Sequence, residues 1–310
     1  MLEKKKIFLI VINWNRCELT LNCLQSLNDI QIDNFIVEVV VLDNGSTDDS
    51  FAKINGFKFS NSKIILSIIE NKTNEGFARG NNIAVQFSLK KGADYICLLN
   101  NDVRVDKNFL KALFDCAEND NKIGLIGGKI YFEKNYEFHK ERYKEGDRGK
   151  VIWYAGGKID WMNVYGSNKG IDEVDNGRYE KEEETDFVNG CLMFIRIEIL
   201  KNRTLFDEKY YMYYEDTDFS QRVKRLGYKL VYCPKSIIWH INAGSSSVGS
   251  NLHEYFTTRN RMLFGMKYAS LRTKISLFRE SIKLFFSGRP WQRIGIKDFY
   301  LGKFGKGSWK

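Results

Sequence analysis

The sequence predicts an α/β protein built on a mostly parallel β-sheet with helices on both faces. In the first hundred residues, four uninterrupted apolar runs of strand length alternate with segments of helical spacing. Strands without polar alternation are buried on both faces, as in parallel sheets covered by crossover helices. With 310 residues, 43% hydrophobic and 28% charged, the chain has an ordinary globular composition and the length of one elaborated domain or two.

The predicted elements follow in order along the chain. Residues 6–13 form the first strand, and leucines at helical spacing follow it. The second strand ends at Asp43, and Ser46 or Thr47 is placed to cap a helix that begins at Asp48. The third strand lies within residues 62–70, a glycine loop and helix within 74–92, and the fourth strand within 93–102.

Polar residues stand at the end of each of these four strands. In a parallel sheet the carboxyl ends meet at one edge, where ligands bind. A turn explains any single group, but four together favour a site suited to hydrogen-bonding a nucleotide. Neither G-x-G-x-x-G nor G-x-x-x-x-G-K-[ST] occurs, which disfavours dinucleotide and P-loop sites. The groups are Asn13-Trp14-Asn15, Asp43-Asn44-Gly45-Ser46, Asn71 to Gly76, and Asn100-Asn101-Asp102.

The cysteines and the N-terminus indicate a cytoplasmic protein. The six cysteines are scattered, mostly in apolar runs, and none forms a C-x-x-C pair. This pattern is typical of buried free thiols in a reducing compartment, not of a zinc or disulfide framework. The apolar run before Asn13 has six residues, too few for a signal peptide, and no stretch approaches a membrane span.

Six segments in a fixed order resemble the family 2 glycosyltransferases, inverting enzymes of the GT-A (nucleotide-diphospho-sugar transferase) fold. The resemblance covers roughly residues 6–265 and is strongest to the rhamnosyltransferase-like members. It implies a nucleotide-sugar-binding half (1–103), an acceptor-binding half (104–250) and a C-terminal helical extension (251–310). The segments are "VINWNR", "VVVLDNGSTDDS", "NEGFARGNN", "YICLLNNDV", "FDEKYYMYYEDTDFSQRVKRLGYKLVYCP" and "IWHINAGSS".

The resemblance implies transfer of a sugar, rhamnose among the candidates, from a dTDP- or UDP-sugar donor. The acceptor would be a saccharide or a lipid-linked glycan in cell-surface polysaccharide biosynthesis. Asp43 can accept a hydrogen bond from the imide N–H of uracil or thymine, a donor that cytosine lacks. The nucleotide-sugar contacts implied are Asn13, Trp14, Asn15, Asp43, Asn44, Asn74, Gly76, Asn81, Asn100 and Asn101.

The resemblance also implies a divalent metal, Mg²⁺ or Mn²⁺, to offset the charge of the sugar diphosphate. The family's D-x-D signature corresponds here to Asn100-Asn101-Asp102, where an amide replaces the first carboxylate. Asp102 is therefore the expected ligand. His240 would complete the site, although a lone histidine after an apolar strand is more often structural.

Inverting transfer needs a general base within reach of the acceptor hydroxyl. By resemblance, Asp216 in "YYEDTDF" is this base and Glu215 positions the acceptor or the base. Asp218 is interpreted as an acidic residue of the first helical turn, favoured by the helix dipole. Asn189 and Gly190 in "DFVNGCLMFIR" are expected to line the acceptor side of the cleft.

The C-terminal segment is basic. From Arg259 to Lys310 it has thirteen Lys or Arg residues against Glu280 and Asp298, with aromatic residues interleaved. No nucleic-acid-binding motif is present, so we expect no nucleic acid partner. One interpretation is an amphipathic helix on an anionic membrane surface, with the enzyme peripheral on the inner face of the membrane. The other is a helical cap on the main domain or a homodimer contact.

Two functions of other classes are alternatives. A sugar-phosphate nucleotidyltransferase has a related architecture, but it needs a glycine-rich loop with lysine and arginine after the first strand, and "NWNRCELT" is not one. A non-catalytic glycan-binding or scaffold protein would not require Asp102, Asp216 and His240 together.

Overall fold

The computed structural model of the chain describes residues 4–241 and 249–309. These residues form a ten-stranded mixed sheet, a two-stranded sheet and eight α-helices. Within them, no helix is both long enough and apolar enough to cross a bilayer. The strands are β1 (Lys5–Asn13), β2 (Phe35–Asn44), β3 (Ile64–Asn71), β4 (Tyr95–Leu99), β5 (Val103–Val105), β6 (Ile123–Phe132), β7 (Ile152–Tyr154), β8 (Gly157–Asp160), β9 (Tyr165–Asn168), β10 (Glu183–Glu184), β11 (Leu192–Arg196) and β12 (Lys229–His240). The helices are α1 (Cys17–Ser26), α2 (Ser50–Asn55), α3 (Gly76–Lys90), α4 (Phe109–Asn119), α5 (Glu215–Arg225), α6 (Asn251–Tyr268), α7 (Leu271–Ser287) and α8 (Pro290–Tyr300).

The first four strands form the parallel half of the large sheet. Their order is β3–β2–β1–β4, and all neighbouring pairs run in the same direction. The register places Asn13 opposite Asp43, so the carboxyl ends of β1 and β2 are level. Strand β11 pairs antiparallel with both β4 and β6, and β6 pairs parallel with β12. The predicted α/β class with a mostly parallel sheet is confirmed, and β11 joins its two halves.

Side chains of β1 alternate between the two faces of the sheet, as the pleat requires. Ile7, Leu9 and Val11 belong to an apolar cluster with residues of α1 and α4. Phe8 and Ile10 belong to a second cluster with residues of α3 and α5. All five side chains are at most 2% exposed. Burial on both faces therefore explains why this strand is an unbroken apolar run.

The helix predicted from Asp48 begins two residues later, at Ser50. Ser46 does not cap it, because its hydroxyl is used elsewhere. The Ser46 Oγ donates to Asp43 Oδ2 at 2.7 Å and accepts from the backbone N–H of Asn15 at 2.9 Å. Ser46 thus links the turn after β2 to the turn after β1 by hydrogen bonds.

Helix α6 holds the segment before α5 in place through Asn260. This side chain is fully buried, and its Nδ2 lies 2.8–2.9 Å from the carbonyl oxygens of Tyr210, Met212 and Tyr213. The segment is strained, since Tyr211, Tyr213 and Tyr214 all have positive φ, between 64° and 71°. A left-handed non-glycine residue costs about 1–3 kcal/mol. The bonds from Asn260 help to offset that strain.

The neighbouring Arg259 binds the same segment and the chain end together. It is fully buried, and its guanidinium donates to Lys209 O at 3.1 Å and to Gly305 O at 2.7 Å. The C-terminal helices therefore pack on the α/β domain, as the helical-cap interpretation expects. Hydrogen bonds from a charged guanidinium are strong, so these bonds stabilise the packing of α6 and the chain end against the α/β domain.

We expect Asn260→Ala to lower the free energy of unfolding by about 2 kcal/mol or more. Buried carbonyl oxygens that lose their donor cost about 1–3 kcal/mol each. Urea denaturation followed by circular dichroism measures this change. Asn121→Ala, at an exposed position, is the matched control and should leave the midpoint unchanged. Equal midpoints for both variants would show that Asn260 does not support the tyrosine segment.

Candidate active site

The ends of β1 and β2 share a buried hydrogen-bond network. Asn13 Nδ2 donates to Asp43 Oδ2 at 2.8 Å, and Asn13 Oδ1 accepts from Thr20 Oγ1 at 2.7 Å. Asp43 also accepts from the backbone N–H and the hydroxyl of Ser46. A carboxylate has about four acceptor positions, so one remains on Asp43. Next to this network Trp14 is 47% exposed and Asn15 bonds to Thr47, at the open edge of the sheet.

Asn44 fastens the loop that follows β3. Its side chain is 2% exposed and donates to Asn74 Oδ1 at 3.2 Å and to Gly76 O at 3.1 Å. Gly76 has φ +79°, and a Cβ there would overlap the Tyr211 ring. The side-chain amide of Asn44 and the glycine therefore set the loop's shape. The exposed and half-buried groups of this loop, Asn74 among them, remain accessible to a nucleotide.

The Asn81 side chain is buried on α3 and is not exposed at the carboxyl ends of the parallel strands. It is 2% exposed, and its Nδ2 donates to Phe77 O at 2.8 Å, one turn earlier in the same helix. The structure thus separates Asn81 from the exposed members of the predicted nucleotide set. Its role in donor binding stays a prediction.

The structure brings Asp102 and His240 together. His240 is the last residue of β12 and pairs in register with Val103. Its Nε2 lies 3.1 Å from Asp102 Oδ1, and the Trp153 ring packs edge-on against the imidazole. The side chains are 6% and 17% exposed, so the pair is largely shielded from solvent.

This pair fits a divalent cation. Two adjacent ligands of a cation with bonds of about 2.1 Å lie about 3 Å apart, close to the observed 3.1 Å. Carboxylate oxygen suits Mg²⁺ and Mn²⁺, and imidazole is a common metal ligand. The Nδ1 of His240 is buried and has no hydrogen-bond partner among the described residues.

One turn connects this pair to the start of α5. The backbone N–H of Asn100 donates to Cys191 O at 3.0 Å, and that of Gly190 donates to Asp216 Oδ2 at 3.0 Å. Asn189 Oδ1 closes the turn by accepting from Cys191 N at 2.8 Å. Asn189 and Gly190 thus lie between the strand end that leads into Asp102 and the helix start that carries Asp216. Asn101, the next residue after Asn100, donates from Nδ2 to Thr20 Oγ1 at 3.0 Å.

Asp216 is half-buried at the second position of α5. Burial raises the pKa of its carboxyl, and the hydrogen bonds from Gly190 and Thr217 partly offset that effect. The backbone N–H of Thr217 donates to Oδ1 at 2.6 Å. A carboxylate with a pKa closer to neutral is a better general base. The geometry therefore suits a base that faces the turn at Gly190.

Glu215 is the more buried of the two neighbouring carboxyls. It is 5% exposed, and its Oε2 has no hydrogen-bond partner in the described part of the chain. Burial raises the pKa of Glu215 well above its usual range, and the negative charge of Asp216 adds to the shift. Glu215 therefore keeps its proton to a higher pH than an exposed glutamate.

Asp218 is not the simple first-turn residue that the sequence suggested. It is fully buried and accepts from Arg222 Nε at 2.9 Å, Lys267 Nζ at 2.6 Å and the hydroxyl of Tyr268 at 2.9 Å. The helix dipole is thus a minor part of its environment. Asp218 ties α5 to α6, and replacing it would disturb the fold.

Sequence reasoning missed the residues that support the site from α6. Arg259 and Asn260 lie in "YFTTRNRMLFGM", inside a run of five polar residues at 257–261. Such a run gives no signal of burial, since polar side chains of these types are mostly exposed. The sequence could not show that Arg259 and Asn260 bind backbone carbonyls in the segment before α5.

The architecture defines the class. A sheet whose parallel strands end beside an aspartate and a histidine, with further carboxyls opening a facing helix, is that of the GT-A nucleotide-diphospho-sugar transferases. The chain belongs to glycosyl transferase family 2, whose sequence model matches residues 8–202.

Several known proteins are similar to this chain at low identity. The low-salt glycan biosynthesis hexosyltransferase Agl10 of Haloferax volcanii is 21% identical over 230 residues, covering 74% of this chain and 67% of Agl10. The dTDP-rhamnosyl transferase RfbF of Shigella flexneri is 24% identical over 198 residues, covering 61% of this chain and 60% of RfbF. The match thus spans less than two thirds of RfbF.

Solved structures share the fold. GalNAc-T7 with UDP, GalNAc and Mn²⁺ superposes with a TM-score of 0.67 at 16% identity, covering 94% of this chain and 52% of that one. S. aureus TarS 1–349 with UDP-GlcNAc superposes with a TM-score of 0.56 at 15% identity, covering 95% of this chain and 79% of that one.

We expect Glu215→Gln to gain stability relative to the wild type as pH rises from 5 to 8. A carboxyl whose folded pKa is raised favours the fold below its unfolded pKa, and that contribution is lost as pH rises through the folded pKa. Glutamine does not titrate, so the difference in Tm between variant and wild type should grow with pH. Glu18→Gln, at an exposed position, is the control. A pH-independent difference would contradict the burial of an ionisable group at position 215.

Proposed function

We propose that this protein is a metal-dependent inverting glycosyltransferase that uses a dTDP- or UDP-sugar donor. One observation carries the proposal: the turn at Asn189–Cys191 touches both Asn100, two residues before Asp102, and Asp216. A candidate cation site and a candidate general base thus lie on two sides of one short segment. Inverting transfer needs these two functions on opposite sides of the donor's anomeric carbon.

In this mechanism Asp216 accepts the proton of the acceptor hydroxyl. The hydroxyl oxygen attacks the anomeric carbon from the face opposite the diphosphate, and the bond to the diphosphate oxygen breaks. The products are a glycoside of inverted configuration, a nucleoside diphosphate and the proton first held by Asp216. Burial and the negative charge of Asp216 both raise the pKa of Glu215, which favours the protonated form of Glu215 beside an ionised Asp216.

Asp102 and His240 are the residues that would hold the cation. A divalent cation there would offset the charge that develops on the diphosphate leaving group. The remaining acceptor position of Asp43 would take the imide N–H of uracil or thymine, with Trp14 exposed beside it. This choice of base fits the names of two similar proteins, a dTDP-rhamnosyl transferase and a structure bound to UDP-GlcNAc.

The same names support the finer parts of the proposal. Agl10 is named for glycan biosynthesis and RfbF for rhamnosyl transfer, so we propose a cell-surface saccharide or lipid-linked glycan as acceptor and rhamnose among the donor sugars. A nucleotidyltransferase would release pyrophosphate and a scaffold protein would release nothing, so product analysis separates the three functions.

We expect the protein to release nucleoside diphosphate from at least one dTDP- or UDP-sugar, and only with Mg²⁺ or Mn²⁺. Asp102→Ala should abolish this turnover and His240→Ala should weaken it, because each removes a metal ligand. Mn²⁺ binding followed by electron paramagnetic resonance gives a readout independent of activity. Release of pyrophosphate, or unchanged Mn²⁺ affinity in both variants, would refute the assignment.

We expect Asp216→Asn to lower transfer by about 10²-fold or more while donor affinity stays nearly constant. Asparagine keeps the size and the bond to Gly190 but lacks basicity, and general bases contribute about 10²–10⁴-fold. Single-turnover kinetics and donor titration measure the two quantities. Asp115→Asn, an exposed isosteric change on α4, is the control. Asp218→Asn is unsuitable as a control because Asp218 is buried in an ion-pair network.

A further inference from the structure

Helix α7 exposes a continuous apolar stripe. Six large apolar side chains along it are 44–75% exposed. With 3.6 residues per turn, their positions fall within an arc of about 100°. The α7 stripe consists of Leu271, Ile275, Phe278, Ile282, Phe285 and Phe286.

A different face of α7 packs against the protein. Thr273, Leu277 and Ser281 are buried, and the Ser281 hydroxyl lies 2.5 Å from the hydroxyl of Tyr300 on α8. The orientation of the helix is thus set by internal contacts. The stripe residues lie outside this packed face and are not part of the core.

Basic side chains flank the stripe on both sides. By helical position, Arg272, Arg279 and Lys283 lie along one border and Lys274 lies along the other. Within residues 4–241 and 249–309, none of these four forms an ion pair. The only acidic residue of α7, Glu280, lies on another face and binds Arg261 at 2.7 and 2.9 Å.

We propose that the α7 stripe docks this protein on an anionic bilayer surface. In such docking, apolar side chains enter the boundary between headgroups and acyl chains while flanking lysines and arginines contact anionic headgroups. Exposed apolar patches of this kind on a folded protein mark an interaction surface. The borders of the stripe carry basic residues, and neither the stripe nor its borders carry acidic ones, so this surface favours a negatively charged partner.

A second copy of the chain fits this surface less well. In a twofold contact the same surface faces itself, so the four cations of each copy would approach those of the other without any acidic partner. Nucleic acid would use the cations and leave six exposed apolar side chains unexplained. A lipid surface accounts for both features at once.

The buried face of α7 contacts the β8–β9 turn, which in turn contacts the segment before Glu215. Thr273 Oγ1 donates to Trp161 O at 3.2 Å in the β8–β9 turn, where Met162 is 76% exposed. In the same turn, Val164 O accepts from the hydroxyl of Tyr214 at 2.9 Å, and Tyr214 directly precedes Glu215. The buried face of α7 thus holds the turn that contacts the segment before Glu215, while a bilayer would contact a different face of the same helix. The inference that the acceptor is lipid-linked rests on the proposed transferase function; the docking does not.

The test uses the full chain and two vesicle preparations, phosphatidylcholine alone and equal parts phosphatidylcholine and phosphatidylglycerol. The stripe variant is Ile275→Gln/Phe278→Gln/Ile282→Gln. Its matched control replaces three comparably exposed apolar residues elsewhere, Ile36→Gln/Ile65→Gln/Leu226→Gln, which are 37–50% exposed. A third variant, Arg279→Gln/Lys283→Gln, removes two cations. Co-sedimentation measures the vesicle partition coefficient.

The wild type should bind the anionic vesicles and bind phosphatidylcholine weakly. The stripe variant should lose about tenfold or more in partition coefficient, the control variant should bind as the wild type does, and the charge variant should bind less with a weaker salt dependence. Equal binding by the stripe variant and the wild type would overturn the proposal. So would a wild-type dimer that the stripe variant converts to a monomer in sedimentation velocity, since the stripe would then be a protein contact.

Donor hydrolysis in solution, measured on the same samples, separates the two proposals. Lost vesicle binding with intact hydrolysis in the stripe variant supports docking through α7. If the wild type binds the vesicles and the stripe variant does not, but neither hydrolyses a donor, the docking proposal stands and the transferase proposal is refuted. Hydrolysis without vesicle binding by the wild type would refute the docking alone.

Discussion

The placement of the candidate catalytic residues depends on the buried contact between α6 and the backbone of residues 209–213. Asn260 and Arg259 are fully buried and donate to carbonyl oxygens of this segment, in which Tyr211 and Tyr213 have positive φ, as does the next residue, Tyr214. Left alone, this segment would relax toward ordinary backbone conformations, because each left-handed non-glycine residue costs about 1–3 kcal/mol. Helix α5 begins directly after it, so the same bonds decide where Glu215 and Asp216 point. The C-terminal helices are therefore part of the site's support and not an appendage.

Two rigid parts of the fold meet at the turn of residues 189–191. The antiparallel strand β11 pairs directly with β4, which puts this turn beside the end of the parallel half of the sheet. From there Gly190 reaches Asp216 through a backbone N–H, a donor that does not depend on a side-chain rotamer. Sites held by strands and helix starts keep their geometry better than sites on free loops. Burial of α5 against this turn also raises the pKa of both carboxyls, so the packing that positions the site tunes it as well.

Helix α7 shows how one amphipathic segment serves two surfaces. One narrow face, with Leu277 and Ser281, packs inside the protein, and the adjacent apolar stripe stays in contact with solvent. A helix needs one apolar face to pack on its own domain. A second apolar face, bordered by basic side chains, is available to a different partner. The β8–β9 turn contacts both the buried face of α7 and Tyr214, so α7 also supports the segment before α5.

The sequence by itself determined the α/β class, the four parallel strands within two or three residues at each end, and the family, because unbroken apolar runs and strand-end polar residues are local patterns. It also singled out five site residues that lie in two groups in the structure, Asp102 with His240, and Asn189 and Gly190 with Asp216; their roles stay predictions. Only the tertiary structure decided which polar side chains are buried and hydrogen-bonded to other parts of the protein. Asp218 resembled a first-turn acid but lies buried among Arg222, Lys267 and Tyr268, and Asn81 points into its own helix instead of toward an open edge. Two of the partners of Asp218, Lys267 and Tyr268, lie 49 and 50 residues away along the chain. Local patterns carry no record of such partners, since burial and hydrogen-bond pairing are set when distant elements pack.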